Sequence, residues 1–478
     1  MKIKGTSNRR QFLKISGLAG AASLVATGQV PAAAQVRAGA AKGAAKNVIF
    51  LVVDGMSHGT LGFANQWKLR HEQTAPHWLQ LLERPDIRRS LQDTASANSP
   101  VTDSAAAGSA WGCGQRINNG AINVDPQGNP LKPILSYAKE AGKKTGLVTT
   151  CRITHATPAA FSVNVEARDM EDAIARQYLE RGVDVLLGGG ARHFSQEQEN
   201  GSVIDYGARF KEAGYTLVRN SGELTAAAKS ERILGLFSQS HIPYAIDRKN
   251  DRSLSQVPGL AEMFKAALAS LEGTKNGFFL QVEGGRVDHA GHANDAGAIL
   301  HEYLEFDDCI PVALDHVAQH PDTMLIVTTD HGTGGCQLNG QGKRYLGSGP
   351  ALDRVNTLKY SFEWLQDRFR ASGSFDAGDF MQATGIKPTA EQSMIVQKAL
   401  DADIKYLSGA LIEAFGKQLD ELTAVGWSSS KHTAECVDLF ATGPGANGVP
   451  AYMNNNELFG HMMSAMGLTS DEAAGLGL

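Results

Sequence analysis

Apolar residues along this chain gather in short unbroken runs that stop at an acid, a glycine or a polar turn. NVIFLVVD (47–54), KTGLVTT (144–150), VDVLLGGG (183–190), GFFLQVEGG (277–285) and TMLIVTTDHG (323–332) share this form. A run with no polar alternation suits a strand covered on both faces, as in a parallel sheet. VDLFATGP (437–444) reads as a further strand. Between the runs lie helix-like segments: LKPILSYAKEAG, MEDAIARQYLERG, LAEMFKAALASLEG and the long AGAILHEYLEFDDCIPVALDHVAQH (296–320). Strands alternating with helices predict an α/β fold, a three-layer α/β/α sandwich around a central, mostly parallel sheet.

From 338 to 425 the pattern changes to NGQGKRYLGSGPALDR, SGSFDAGDF and amphipathic stretches such as SMIVQKALDADIKYLSGALIEAFGKQL. This part reads as an inserted, largely helical subdomain on or beside the core. The expected organisation is therefore a core over 47–337, an insertion over 338–425, and completion of the core over 426–478.

The amino-terminal residues follow another logic. SNRRQFLK (7–14) precedes ISGLAGAASLVATG and VPAAAQ, and residues 1–34 hold five basic residues and no acid. Paired arginines before a mildly apolar Gly/Ala segment with an A-x-A end read as a twin-arginine export signal, with cleavage expected after Ala34. An Ala/Gly linker (35–46) would follow, and the mature chain is expected in the periplasm or outside the cell. Cleavage removes those five positive charges and takes the net charge from −5 to about −10.

With 42% hydrophobic and 20% charged residues, the composition is that of a globular protein with a sizeable core. The acidic balance argues against a nucleic-acid partner. No internal stretch approaches the ~20 apolar residues of a membrane span, so stable membrane insertion is not expected. Cys113, Cys151, Cys309, Cys336 and Cys436 show no C-x-x-C spacing. That spacing excludes a zinc knuckle, and their odd number leaves any disulfide pairing open.

Polar clusters follow the carboxyl ends of the strands, where open α/β sheets bind ligands. Asp288 and His292 stand four apart with His289 between them, so a helix or tight turn would put the outer two on one face. Asp330–His331 follows another run, Asp54 and Glu283 end two more, and His432 lies near the strand at 437. Acids gathered at one sheet edge repel one another unless divalent cations neutralise them, so two or three metals are the economical inference. His71, His77, His193, His241, His301, His316, His320 and His461 are read as structural or solvated.

Two metals ~3.5–4 Å apart suit in-line displacement at phosphorus. Arg168, thirteen residues after His155, offers a cationic fork for phosphate oxygens. In VTDSAAAGSAWGCG (101–114), Asp103–Ser104 opens a helix of small residues. Its bland reading is an N-cap. A serine oxygen there would also share the free N–H groups and positive dipole end with an incoming phosphate, which makes Ser104 a candidate nucleophile.

With these residues in view, the chain resembles the alkaline phosphatase family. The resemblance runs in order through VVDGM (52–56), TDSAAAGSAW (102–111), HATPAA (155–160), LLGGGARHF (186–194), VEGGRVDHAGH (282–292), TTDHG (328–332) and KHTAE (431–435). It implies hydrolysis of small-molecule phosphate monoesters to an alcohol and inorganic phosphate through a phosphoserine on Ser104, with Arg168 as phosphate clamp and Asp103 orienting it. It further implies a first zinc site at Asp288, His292 and His432, and a second at Asp54, Asp330 and His331, the latter acting on the Ser104 hydroxyl. A third site, normally magnesium, would use Asp54, Thr157 and Glu283. His155 and His289 match the animal-type pattern at positions where the best-known enteric bacterial enzyme has Asp and Lys, and they leave the identity of the third metal open. A homodimer is expected by analogy alone. The rival readings are a phosphodiesterase- or sulfatase-like hydrolase of the same superfamily and, more distantly, a non-catalytic periplasmic metal- or phosphate-binding protein.

Overall fold

A computed structural model describes residues 45–197 and 201–469. The export signal and most of the linker expected before residue 47 lie outside the described residues.

Ten strands form the main sheet: β1 (Asn47–Val53), β2 (Arg88–Asp93), β3 (Lys144–Arg152), β4 (Val185–Gly189), β5 (Thr216–Val218), β6 (Ile233–Leu236), β7 (Phe278–Gly284), β8 (Thr323–Thr329), β9 (Val437–Thr442) and β10 (Tyr452–Asn454). Their spatial order is β10-β2-β9-β8-β1-β7-β3-β4-β6-β5. Every pairing is parallel except the two made by β9, which runs against both β8 and β2. The apolar runs occupy the middle of this order, as burial on both faces requires. In β1 every residue is buried. Ile49, Leu51 and Val53 enter one hydrophobic core, while Val48, Phe50 and Val52 enter the other. Helices cover both faces, which makes the expected three-layer α/β/α sandwich.

The long apolar segment 296–320 is two helices, Ala296–Asp307 and Cys309–Gln319. Pro311 explains the break, since it has no N–H for the carbonyl of Asp307 and its ring clashes with a continuous turn there. No two cysteines are bonded to each other.

Residues 338–425 hold five α-helices, the longest being Phe362–Ser372, Ala390–Asp401 and Ser408–Thr423. Thr389 and Gln392 close a capping box at the start of the second of these. Leu365, Phe369, Phe380 and Phe415 join the same hydrophobic core as Ile49 and Leu300. The segment is thus packed into the body of the protein. Gln337–Leu338 pairs antiparallel with Val425–Gly426 at its base.

Candidate active site and metal centre

β1, β7 and β8 end side by side, and their last residues deliver Asp54, Glu283 and Asp330 to one place. All three are buried. Gly55 permits the crowding: its φ is +76°, and a Cβ there would meet the Asp288 Cα at 2.5 Å. Its N–H donates to Asp330 Oδ1 at 2.9 Å.

Asp288 and His292 lie on the helix Arg286–His292, one turn apart as their spacing implies. His432 arrives from beyond the insertion, on a two-residue ladder in which it pairs with Thr333 and Thr433 pairs with Gly332. His292 Nε2 stands 3.0 Å from His432 Nε2, and each is 3.4 Å from Asp288 Oδ1. Bonds of ~2.0–2.1 Å to a tetrahedral ion require ligand atoms about 3.3 Å apart, so this triangle already has the dimensions of a zinc-type site. The far nitrogens are fixed by backbone carbonyls: His292 Nδ1 by Ser430 at 2.8 Å and His432 Nδ1 by Thr102 at 2.8 Å. Such contacts orient ligating imidazoles. Thr333 Oγ1 donates to Asp288 Oδ1 at 2.6 Å.

A second group centres on His331. Its Nε2 is 3.1 Å from Asp330 Oδ2, 3.7 Å from Asp54 Oδ1 and 3.3 Å from Ser104 Oγ. Ser104 Oγ is also 3.5 Å from Asp54 Oδ1. Asp54 turns its other oxygen the opposite way, toward Thr157 Oγ1 at 3.4 Å. Asp54, His155 and Glu283 form the third group, with ligand atoms within 4.8 Å of one another. Neither carboxylate oxygen of Glu283 has a hydrogen-bond partner, nor has Asp330 Oδ2.

These acids are held where charge is costly. Burial, then the neighbouring Asp330, Asp288 and Glu283, pushes Asp54 well above the carboxylate range. Burial raises Glu283 and Asp330 to about 7 each. Asp288 is buried too, but His292 and His432 outweigh that cost and hold it well below its ordinary value. Buried carboxylate oxygens crowded beside imidazole nitrogens are a donor set that divalent cations satisfy. The residues therefore fit two N/O sites of zinc type and one oxygen-rich site.

Ser104 begins the ten-residue helix Ser104–Cys113, and Asp103 rather than Ser104 is its N-cap, accepting from the Ala106 N–H at 2.9 Å. The serine hydroxyl is thereby released from capping and faces Asp54 and His331. The small residues behind it serve close packing against the helix Ala156–Ala160: a Cβ on Gly112 would fall 2.0 Å from the Ala160 carbonyl oxygen. Arg168 Nη1 donates to Asp103 Oδ2 at 3.0 Å, and its Nη2 donates to His155 Nε2 at 3.1 Å.

Every residue expected to act is thus in one region. His289 turns away from the metal triangle toward Cys151 Sγ, 3.7 Å from its Nδ1, and toward the ring of His241, 4.3 Å between centroids. Cys151, His155 and His289 also bring ligand atoms within 4.8 Å of one another. His241, read from sequence as structural or solvated, is half-buried in this group, with desolvation holding its pKa well below the usual imidazole value. Neither it nor Thr333 has a motif spacing that announces it.

Comparison with known proteins agrees with this geometry. The family model described as alkaline phosphatase matches residues 45–468. Alkaline phosphatase 4 of Bacillus subtilis (strain 168) is 32% identical over 421 residues, covering 86% of this chain and 87% of its own. The repressible alkaline phosphatase of Saccharomyces cerevisiae is 33% identical over 441 residues, covering 83% and 75%. The crystal structure of Thermus thermophilus alkaline phosphatase superposes with a TM-score of 0.83 at 35% identity, covering 94% of this chain and 96% of that one.

Proposed function

The chain belongs to the alkaline phosphatase family, and from that premise we propose how its own residues hydrolyse a phosphate monoester. The activity itself, metal-dependent hydrolysis of phosphate monoesters, goes with the family. The observation that carries the mechanism is the placement of Ser104 Oγ, 3.3 Å from His331 Nε2 and 3.5 Å from Asp54 Oδ1. It stands at the positive end of a helix that another residue caps.

In this reading Ser104 loses its hydroxyl proton to solvent and Oγ attacks phosphorus in line, forming an Oγ–P bond as the P–O bond to the alcohol breaks and the leaving oxygen takes a proton from water. Water then attacks the phosphoserine, the Oγ–P bond breaks, and inorganic phosphate leaves with the hydroxyl restored to Ser104. Arg168, held by Asp103, binds the non-bridging oxygens through both displacements. Asp288, His292 and His432 would hold one Zn2+, and Asp54, Asp330 and His331 a second. Asp54, Thr157 and Glu283 would hold a third ion, Mg2+ by the family resemblance. When bound, these ions lower the pKa of the attacking oxygens and neutralise charge on the leaving oxygen. His155 and His289 give the third site the imidazole surroundings of the animal-type enzymes.

In the same reading the mature enzyme would work in the periplasm or outside the cell, exported by the twin-arginine route with residues 1–34 removed, a reading that rests on the paired arginines of SNRRQFLK (7–14). Among the described residues no helix is long and apolar enough to cross a membrane. Residues 338–425, though packed on the shared core, would form the crown- or lid-like part of the enzyme.

The test is a rapid acid quench with a radiolabelled monoester. A burst of acid-stable label on Ser104, absent in Ser104→Ala, together with retention of configuration at a chiral phosphorus, is the expected result. Clean inversion with no labelled serine would overturn the covalent path.

A further inference from the structure

The edge of the sheet opposite the active site carries a second set of metal-ligating side chains that the phosphatase chemistry does not use. Glu272 ends the helix Leu260–Leu271 just before β7, and His316 and His320 close the helix Cys309–Gln319 just before β8. Both strands are seven residues long, which puts about 20 Å between this cluster and the catalytic edge. We propose that His316 and His320, backed by Glu272, bind a Zn2+-type ion there.

Three observations lead to this site. The ligand atoms of the three side chains lie within 4.8 Å of one another. His316 and His320 are an i, i+4 pair, and the His320 N–H still bonds to the His316 carbonyl at 2.8 Å, so both imidazoles project from the same last turn. Their rings stack at 4.4 Å with 30° between planes. Most telling is the state of His316. Its side chain is 4% exposed, its Nδ1 lies 3.2 Å from Glu272 Oε1, and its Nε2 is buried without a hydrogen-bond partner. A simple ion pair with Glu272 leaves that nitrogen unsatisfied and gives no reason for a second imidazole against the first.

A metal resolves both points. With the ion on His316 Nε2 beside His320, the buried nitrogen gains a partner while Nδ1 keeps its proton on Glu272 Oε1, the carboxylate–histidine–metal arrangement that orients ligating imidazoles. Two imidazole nitrogens backed by a carboxylate suit Zn2+ far better than the all-oxygen preference of Mg2+ or Ca2+. His316 is fixed by burial and by the ring of Phe278 at 5.7 Å between centroids. His320 is partly exposed, so its side chain can close on an ion. The bound ion would staple the ends of the two helices together ahead of β7 and β8.

The experiment is a zinc count on untagged protein saturated with Zn2+ and Mg2+ and passed through a desalting column, read by plasma mass spectrometry. His320→Ala removes the ligand, and His320→Phe removes it while keeping a ring against His316. Both are expected to hold one zinc fewer per chain than wild type, with unchanged kcat on p-nitrophenyl phosphate. Wild-type zinc content in either variant would overturn the site.

Discussion

Asp103 shares its carboxylate among three partners: Oδ1 accepts the Ala106 N–H at 2.9 Å, and Oδ2 accepts both Arg168 Nη1 and the Gly120 N–H at 3.0 Å. One side chain thus starts the helix that presents Ser104 and anchors the cation beside it. The two duties separate by substitution. Asp103→Ala should cost about 1 kcal/mol as a lost N-cap and should also weaken phosphate binding. Asp103→Ser should restore the cap and part of the melting temperature, the Gly120 N–H staying without its acceptor, while the inhibition constant for inorganic phosphate stays raised, about tenfold for a loss near 1.4 kcal/mol. Measuring both quantities on both variants decides it, and recovery of phosphate affinity in the serine variant would refute the anchor.

Thr333 Oγ1 holds two candidate ligands in place, donating to Asp288 Oδ1 at 2.6 Å and lying 3.3 Å from His331 Nδ1. Thr333→Val keeps the shape and removes that hydrogen bond. Groups that orient metal ligands typically contribute 10–100-fold to affinity, so competition with a chromophoric chelator should show a zinc affinity lower by about that factor. Thr333→Ser should recover most of it.

Gly55 cannot accept a side chain without moving Asp288. Gly55→Ala should lose about 1–2 kcal/mol from the left-handed backbone alone. Because the clash also displaces Asp288 from His292 and His432, zinc content and turnover should fall together. A variant that melts lower but keeps full zinc content would show that the crowding is not needed for the site.

The insertion is tied to the core by two buried acids. Asp247 Oδ1 and Oδ2 accept Ser361 N and Oγ at 2.8 and 2.6 Å, and Asp295 Oδ2 accepts the Phe362 N–H at 2.7 Å. Burial raises Asp247 from 3.8 to about 7. Since the folded value exceeds the unfolded one, its stabilisation is complete below pH ~4 and is lost as pH rises through about 7. Asp247→Asn removes that titration. Its melting temperature relative to wild type should therefore climb between pH 5 and pH 8, and a constant difference would contradict the assignment.

Burial on both faces is what made the central strands readable: β1, β3, β4, β7 and β8 had no polar alternation to obscure them. β2, β5, β6 and β10 were not recognised. β2 (RRSLQD) is polar and half exposed, β5 and β10 have three residues each, and β6 is four residues including a glycine. Of the candidate metal-binding acids, Asp54, Glu283 and Asp330 were legible because each closes an apolar run, and Asp288 because His292 stands four residues on. Thr333, Cys151 and His241 were not, since single residues far apart in the chain acquire their neighbours only through folding. His316 and His320 stand four apart, but with no acid beside them in sequence they read as structural or solvated; Glu272 reaches them only through folding.

The reversed direction of β9 has a bearing on the first metal triangle. Leu439 pairs with Thr328 and Thr442 with Leu325, so the incoming end of β9 lies where its neighbour finishes. A residue upstream of that strand can therefore join partners that lie downstream of theirs, and His432 does. Had β9 pointed the same way as β8, the chain would have reached this edge only after Thr442, and the third ligand would have had to come from there. Strand polarity thus decides which side of a large insertion can supply the last histidine.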